Sequence, residues 1–127
     1  MTYKEFEELV KQGVEQLPPH IRKLLENVDI VIEDWPSEDI IKKLKLPNKY
    51  SLFGLYQGIP KTKRGSHYAN VLPDKITLFK KPIENSAKNS TEIKNLVKKV
   101  VWHEIAHHFG LDEKRVRELE KKKFQKL

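Results

Sequence analysis

The longest helical pattern in the chain, from Asn89 to Phe109, constrains the fold more than any other feature. Asn89, followed three residues later by Glu92, is a helix start signal. Gly110 follows the last helical residue, where a glycine in the left-handed backbone conformation commonly ends a helix. A helix of this length must bury its apolar face against a second layer of structure, which the rest of the chain has to supply. The apolar face consists of Ile93, Leu96, Val97, Val100, Ile105 and Phe109.

The segments before this helix alternate between helical and extended patterns. Thr2 and Glu5 have capping-box spacing at the start of an opening helix, and Pro18 ends that helix. The order helix, helix, strand, short helix, two strands and two helices predicts an α+β domain whose small sheet is covered on one face. The predicted elements are helices over 2–16 and up to Leu25, a buried β-branched strand over 28–32, a short helix capped by Ser37, strands over 50–56 and 75–79, the long helix, and a last helix from Asp112.

The residue types that are absent exclude several classes of protein. The 127 residues include no cysteine, so disulfides, a thiol nucleophile and thiolate metal ligands are excluded, and a metal would need histidine and carboxylate ligands. No apolar run approaches the ~18 residues of a membrane helix, and the first residues lack the apolar region of a secretory signal. We therefore expect a small cytoplasmic domain. Its richness in Lys and Glu resembles a thermophile's composition.

The net charge of +7 is concentrated at one end of the chain. Residues 114–127 contain seven basic and two acidic side chains, and residues 1–113 carry only the remaining +2. A solvated helix face explains such a segment better than contact with a polyanion. Lysine also outnumbers arginine by 21 to 4, whereas specific reading of bases relies on arginine. Nucleic acid is therefore not the expected partner, and the sequence indicates no membrane partner.

Inside the long helix lies the sequence His103-Glu104-Ile105-Ala106-His107, an H-E-x-x-H motif. Residues four apart lie one above the other on a helix, so both imidazoles can reach one metal ion. Glu104 is rotated by about 100° from His103, which places its carboxylate beside the metal and lets it accept a proton from metal-activated water. The pattern predicts His103 and His107 as zinc ligands and Glu104 as the general base.

The residues after the motif supply candidates for a third ligand. Gly110 and Glu113 extend the motif to H-E-x-x-H-x-x-G-x-x-E, a combination expected by chance in about one chain in ten thousand of this composition. Gly110 can turn the chain back so that Glu113 reaches the metal, with Asp112 and Glu118 as alternatives. Three protein ligands leave one coordination position open, as in catalytic zinc sites. The competing interpretation is an ordinary helix with surface or core histidines.

Two blocks of sequence together resemble the minimal zincin-like metallopeptidases of bacteria. They are LFGLYQGIPKTKRGSHYANVLPDKITLFKKPI, residues 52–83, and VVWHEIAHHFGLDE, residues 100–113. The resemblance implies a single zincin-like domain over residues 1–127, with a small mixed sheet, an N-terminal backing helix and an active-site helix. It also implies zinc as cofactor, His103, His107 and Glu113 as ligands, and Glu104 as base. The third position of the motif is acidic rather than histidine, and the Met-turn of metzincins is absent because Met1 is the only methionine.

A loop of about 18 residues between the last two predicted strands contains further candidates. Possible donors to the oxyanion of peptide hydrolysis are Arg64, His67 and Tyr68. Two of them, Arg64 and Tyr68, fall at positions where the sequence pattern of the resembled family is regular. His67 is alternatively a metal contact in the resting state. Each of these residues is otherwise an ordinary surface side chain.

Four further aromatic side chains, which are not predicted metal ligands, are weaker candidates for a role at the site. His108 points about 100° away from His107, which indicates packing or support. Trp102 precedes the motif at an angle that suits burial behind the site, and His20 follows two prolines as a structural residue. Tyr56, near Gly58, is a candidate for lining a cleft.

The first functional hypothesis is a zinc metallopeptidase acting on peptides or unfolded chain segments, with the sheet edge aligning the substrate. The second is a zinc hydrolase of RNA, because endoribonucleases of ribosome maturation use H-x-x-x-H-x-x-G-x-D-H, which this chain matches at His103, His107, Gly110 and Asp112. It differs from them by carrying Glu104, and Glu113 in place of histidine. The third hypothesis is a non-catalytic zinc-binding module.

Overall fold

The computed structural model describes residues 1–58 and 74–109, which form five α-helices and one three-stranded sheet. None of the helices in these two ranges is long and apolar enough to cross a membrane. The elements are α1 (Tyr3–Glu15), α2 (Pro19–Leu24) followed by a 3₁₀ turn (Leu25–Asn27), β1 (Val28–Glu33), α3 (Glu38–Lys43), β2 (Gly54–Gln57), β3 (Asp74–Phe79), α4 (Lys80–Ser86) and α5 (Ser90–His108).

The sheet is mixed, with strand order β1-β3-β2. Strand β1 runs parallel to β3, from Val28 opposite Asp74 to Glu33 opposite Phe79. Strand β2 runs antiparallel to β3, and its residue Gly54 lies opposite Leu78. A small mixed sheet combined with helices confirms the α+β prediction.

The core lies between α1, α5 and the central strand β3. Phe6 of α1, Val97 and Val101 of α5, and Ile76 and Leu78 of β3 are all buried. Helix α1 packs directly on α5, and a Cβ atom on Gly13 would lie 3.4 Å from Val97 Cγ1. The N-terminal backing helix implied by the family resemblance is therefore present.

The predicted helix starts are confirmed by side-chain caps. Thr2 Oγ1 accepts a hydrogen bond from the Glu5 main-chain N–H at 3.1 Å, and Ser37 Oγ accepts one from Ile40 at 3.2 Å. At the start of α5, Asn89 Oδ1 accepts from the N–H of Glu92 at 2.9 Å. Such caps satisfy donors that the first helical turn leaves without a partner.

The strands and one helix differ from the sequence prediction. Strand β1, predicted as buried, lies at a sheet edge and is only half-buried along most of its length. Strand β2 begins at Gly54 rather than at Tyr50, because Asn48 Oδ1 accepts from the Tyr50 N–H and holds the chain in a turn. Helix α4 was not predicted. Its Pro82 lies in the first turn, where a helix tolerates proline. The predicted last helix from Asp112 lies outside the described residues.

Candidate active site

The two histidines of the motif converge at the end of α5. His103 Nε2 and His107 Nε2 lie 2.9 Å apart, and their ring centroids are separated by 4.4 Å. Two imidazole nitrogens on one tetrahedral zinc ion lie about 3.3 Å apart, given Zn–N bonds of about 2.0–2.1 Å. A small ring rotation would open the pair to that separation. The two imidazoles therefore fit as ligands of one metal ion, and His107 is exposed at the surface.

Glu104 lies beside this pair and is half-buried. Its Oε1 accepts a hydrogen bond from the main-chain N–H of Tyr56 at 3.3 Å. Burial raises the pKa of the Glu104 carboxyl, and the Tyr56 hydrogen bond and the charges of His103 and His107 oppose that rise only in part. A carboxylate with a raised pKa is a stronger base than an exposed one, which suits proton transfer near neutral pH.

One stripe of α5 faces strand β2, and it consists of Val100, Glu104 and His108, each four residues after the last. Val100 packs so closely on Gly54 that a Cβ atom at position 54 would lie 2.5 Å from Val100 Cγ1. Glu104 accepts from the N–H of Tyr56, and His108 stacks on the Tyr56 ring. The helix therefore lies against β2 along two of its turns, with the two motif histidines on the neighbouring stripe.

The end of this stripe is a cluster of three side chains from three different elements. The ring centroids of Tyr56 and His108 are 3.9 Å apart and the planes are 18° from parallel. The Tyr56 hydroxyl donates to Asp74 Oδ2 at 2.6 Å, and His108 Nε2 lies 3.6 Å from the same oxygen. His108 thus contacts the sheet, and Asp74, which no sequence pattern singled out, belongs to the same cluster.

A groove of about 380 Å³ lies between the start of β2 and α5, next to the motif. The Phe79 N–H donates to the Phe53 carbonyl, so the alternation of an antiparallel pair turns the main-chain groups of Gly54 and Tyr56 away from β3. Of these two residues, Gly54 lines the groove, and the Tyr56 N–H faces Glu104. The groove is lined by Leu52, Phe53, Gly54, Lys99, Val100, His103 and Glu104.

Two of the remaining aromatic residues lie behind the site. Trp102 is buried, and its ring meets the edge of the His20 ring at a centroid distance of 5.9 Å. The contact joins α2 to α5 on the side opposite β2. Both residues therefore support the helix rather than face the groove.

Several predicted site residues lie outside the described residues, namely Glu113 with its alternatives Asp112 and Glu118, and the loop residues Arg64, His67 and Tyr68. Over residues 1–58 and 74–109, no group of three or more histidine and carboxylate side chains is arranged to hold a metal ion. Gly54 and Asp74 were not predicted as part of the site. The spacing of Val100, Glu104 and His108 was the available signal that a further element packs on this stripe.

Comparisons with known proteins agree with this architecture. A family model described as zincin-like metallopeptidase matches residues 25–123. Among solved structures, a conserved hypothetical protein from Thermus thermophilus aligns with a TM-score of 0.51 and 22% identity, covering 85% of this chain and 94% of its own. At that identity the likeness concerns the fold alone. A search of the curated proteins found no match.

Proposed function

Since this chain belongs to the zincin-like metallopeptidase family, we propose that it is a zinc-dependent peptidase. The observation that carries the proposal is the convergence of His103 Nε2 and His107 Nε2 beside the half-buried carboxylate of Glu104. Two imidazole ligands and an adjacent base of raised pKa are what metal-assisted hydrolysis needs.

The proposed ligands are His103, His107 and Glu113, with Asp112 or Glu118 as alternatives for the third. Zinc, when bound, polarises the scissile carbonyl and lowers the pKa of the attacking water. An acidic third ligand would bring the charge of the site closer to neutral than a third histidine would. Arg64 and Tyr68 are the proposed donors to the developing oxyanion.

Glu104 performs the proton transfers in this proposal. Its carboxylate takes a proton from the attacking water and later passes it to the leaving amine. The hydrogen bond from Tyr56 to Oε1 restricts rotation of the carboxylate, so the base is held in place before substrate arrives. The motif of the RNA hydrolases, H-x-x-x-H, requires no glutamate at the position of Glu104, so we prefer the peptidase.

An extended peptide or an unfolded chain segment is the proposed substrate. The outward main-chain groups of Gly54 offer an edge to which a substrate strand could add, and the groove that Gly54 lines has mainly apolar walls. A substrate strand in this groove would pass directly over Glu104. We do not expect nucleic acid to occupy it, because Lys99 is its only lysine or arginine among the described lining residues.

The first test measures metal content by mass spectrometry in protein purified without chelator. We expect about one zinc ion per chain in the wild type, none in His107→Ala, and an unchanged content in the control His20→Ala. The control removes a histidine that lies behind the helix. Wild-type protein that holds no zinc even after zinc is added would overturn the proposal.

The second test separates metal binding from catalysis. Glu104→Gln should keep its zinc and lose at least about 100-fold in the hydrolysis of a mixed library of internally quenched peptides. Removing zinc from the wild type with EDTA should abolish the same activity, and adding zinc back should restore it. Hydrolysis that persists in Glu104→Gln would exclude Glu104 as the base.

A further inference from the structure

The last turn of α5 carries one of the two converging imidazoles, and helix ends are prone to fray. His107 is the penultimate residue of α5, and His108 is the last. The final carbonyl groups of any helix lack intrahelical partners, so this turn opens easily unless tertiary contacts hold it. A metal ligand at such a place needs support from outside the helix.

The contacts that provide support come from the sheet. The Tyr56 ring lies flat on the His108 imidazole, and the Tyr56 hydroxyl donates a short hydrogen bond of 2.6 Å to Asp74 Oδ2. A bond of this length to a carboxylate is among the stronger hydrogen bonds in proteins. Because Tyr56 belongs to β2 and Asp74 begins β3, the end of α5 is tied to two strands that are themselves paired.

We propose that Tyr56, Asp74 and His108 form a clamp that positions the last turn of α5 and, with it, His107. The inference rests on the proposed function for its purpose, because the clamp matters when His107 binds a metal. Tyr56 also holds the Glu104 carboxylate through its main-chain N–H. One residue of β2 thus fixes both the proposed base and the turn that carries the second proposed ligand. The three are positioning residues and do not themselves react.

Tyr56→Phe is the most selective test, because it removes the hydroxyl and keeps both the ring and the main-chain N–H. We expect zinc affinity, measured by competition with a chromogenic chelator, to fall about tenfold. In the hydrolysis assay, kcat should fall by a similar factor while KM stays within about twofold, since the groove is unaltered. Tyr50→Phe is the control, because Tyr50 is an exposed tyrosine packed edge-on against Trp35.

A second set of variants tests whether Tyr56 and Asp74 act together. Asp74→Asn keeps an oxygen that can accept from the Tyr56 hydroxyl, so it should retain most of the zinc affinity. Asp74→Ala should lose at least as much as Tyr56→Phe, because it also removes the carboxylate beside His108 Nε2. The double variant Tyr56→Phe with Asp74→Ala should lose no more than Asp74→Ala alone. Losses that add in the double variant would overturn the clamp.

Amide hydrogen exchange in the metal-free protein provides a measurement that depends on neither zinc nor activity. In Tyr56→Phe the amides of His107, His108 and Phe109 should exchange at least about fivefold faster than in the wild type, whereas those near Val97 should be unchanged. Unchanged exchange in the last turn would overturn the clamp. If the wild type binds no zinc, the proposed function fails, and the exchange result alone still decides whether the clamp exists.

Discussion

The main-chain N–H of Tyr56 donates to Glu104 Oε1 across 3.3 Å, joining two residues that are 48 positions apart in the chain. The contact exists because Gly54, two residues earlier on β2, lets Val100 of α5 approach the strand closely. That close approach also buries Glu104. The environment of the proposed base is therefore set by β2 as much as by the helix that carries it.

Glu104→Gln should stabilise the metal-free protein at neutral pH. Burial raises the pKa of Glu104, so the folded protein holds this proton more tightly than the unfolded chain does. The contribution of this group to stability is therefore fully present below the ordinary pKa of 4.5 and is lost as pH rises through the raised folded-state pKa. Glutamine carries no charge and can still accept from Tyr56, so the variant avoids this loss.

The measurement is thermal unfolding in EDTA at several pH values from 4 to 8. The melting temperature of Glu104→Gln should exceed that of the wild type by a few degrees at pH 7, and the difference should shrink toward pH 4. Glu7→Gln, which changes an exposed residue of α1, is the control and should show no such trend. A wild type more stable than Glu104→Gln at pH 7 would contradict the prediction.

Gly54→Ala should destabilise the protein by about 1–3 kcal/mol through overpacking. Its Cβ would lie 2.5 Å from Val100 Cγ1 and 3.3 Å from the Thr77 carbonyl oxygen, so α5 would have to move away from β2. Gly58→Ala is a matched control, because its nearest contact within the described ranges would be an ordinary 3.6 Å, and we expect a change within about 0.5 kcal/mol.

Combining Gly54→Ala with Val100→Ala identifies the cause of that loss. The shorter side chain at position 100 removes the closest contact, so the double variant should be more stable than the sum of the two single changes predicts. Urea unfolding of the four proteins measures the coupling. Purely additive losses would mean that Val100 does not set the spacing between β2 and α5.

The features that the sequence could predict are local ones. The caps at Thr2, Ser37 and Asn89 depend on residues within three positions, and all three are present. The convergence of His103 and His107 likewise follows from helix geometry alone. Local signals of this kind do not depend on how the elements pack.

The features that could not be predicted depend on tertiary packing. Whether β1 is central or at an edge depends on its partners, which its run of β-branched residues does not specify. Asp74 joins the site only because β3 pairs with β2, which places it next to the Tyr56 hydroxyl. The stripe from Val100 to His108 shows that a packing face exists, but not which strand covers it.

Lys98 should make stability increase with pH in the alkaline range. Its side chain is buried beside Gly13 of α1, and Nζ donates to Gln16 Oε1 at 3.4 Å. Burial, followed by the nearby charge of Lys94, lowers the pKa of Lys98 from its ordinary 10.5. The unfolded chain therefore binds more protons than the folded protein between the lowered pKa and 10.5, and the free energy of unfolding rises with pH across that interval.

Lys98→Met keeps a long unbranched side chain and removes the charge. The free energy of unfolding of this variant should no longer rise with pH in the alkaline range. The variant should also be more stable than the wild type at pH 7. Lys94→Met should stabilise the protein at pH 7 by a smaller amount, because it removes only the repulsion between Lys94 and Lys98 and leaves Lys98 buried. Urea unfolding between pH 7 and 10 measures both. A wild-type slope that survives in Lys98→Met would assign the pH dependence to other groups.

Lys99 should set a charge preference in the groove, if the chain is the peptidase proposed above. The side chain is exposed on α5, one turn before His103, in a groove whose other described walls next to Gly54 are mainly apolar. An ammonium there attracts an acidic substrate residue with about 1 kcal/mol at 4 Å in water, and a reversed charge repels it by as much. Lys99→Glu should therefore shift kcat/KM by about tenfold or more toward basic over acidic peptides of otherwise equal sequence.

The shift should diminish in 1 M salt, which screens exposed charges over about 3 Å. Lys11→Glu makes the same change in net charge on α1, away from the groove, and should leave the preference unaltered. Equal shifts in the two variants would show that net charge, rather than Lys99, determines the preference.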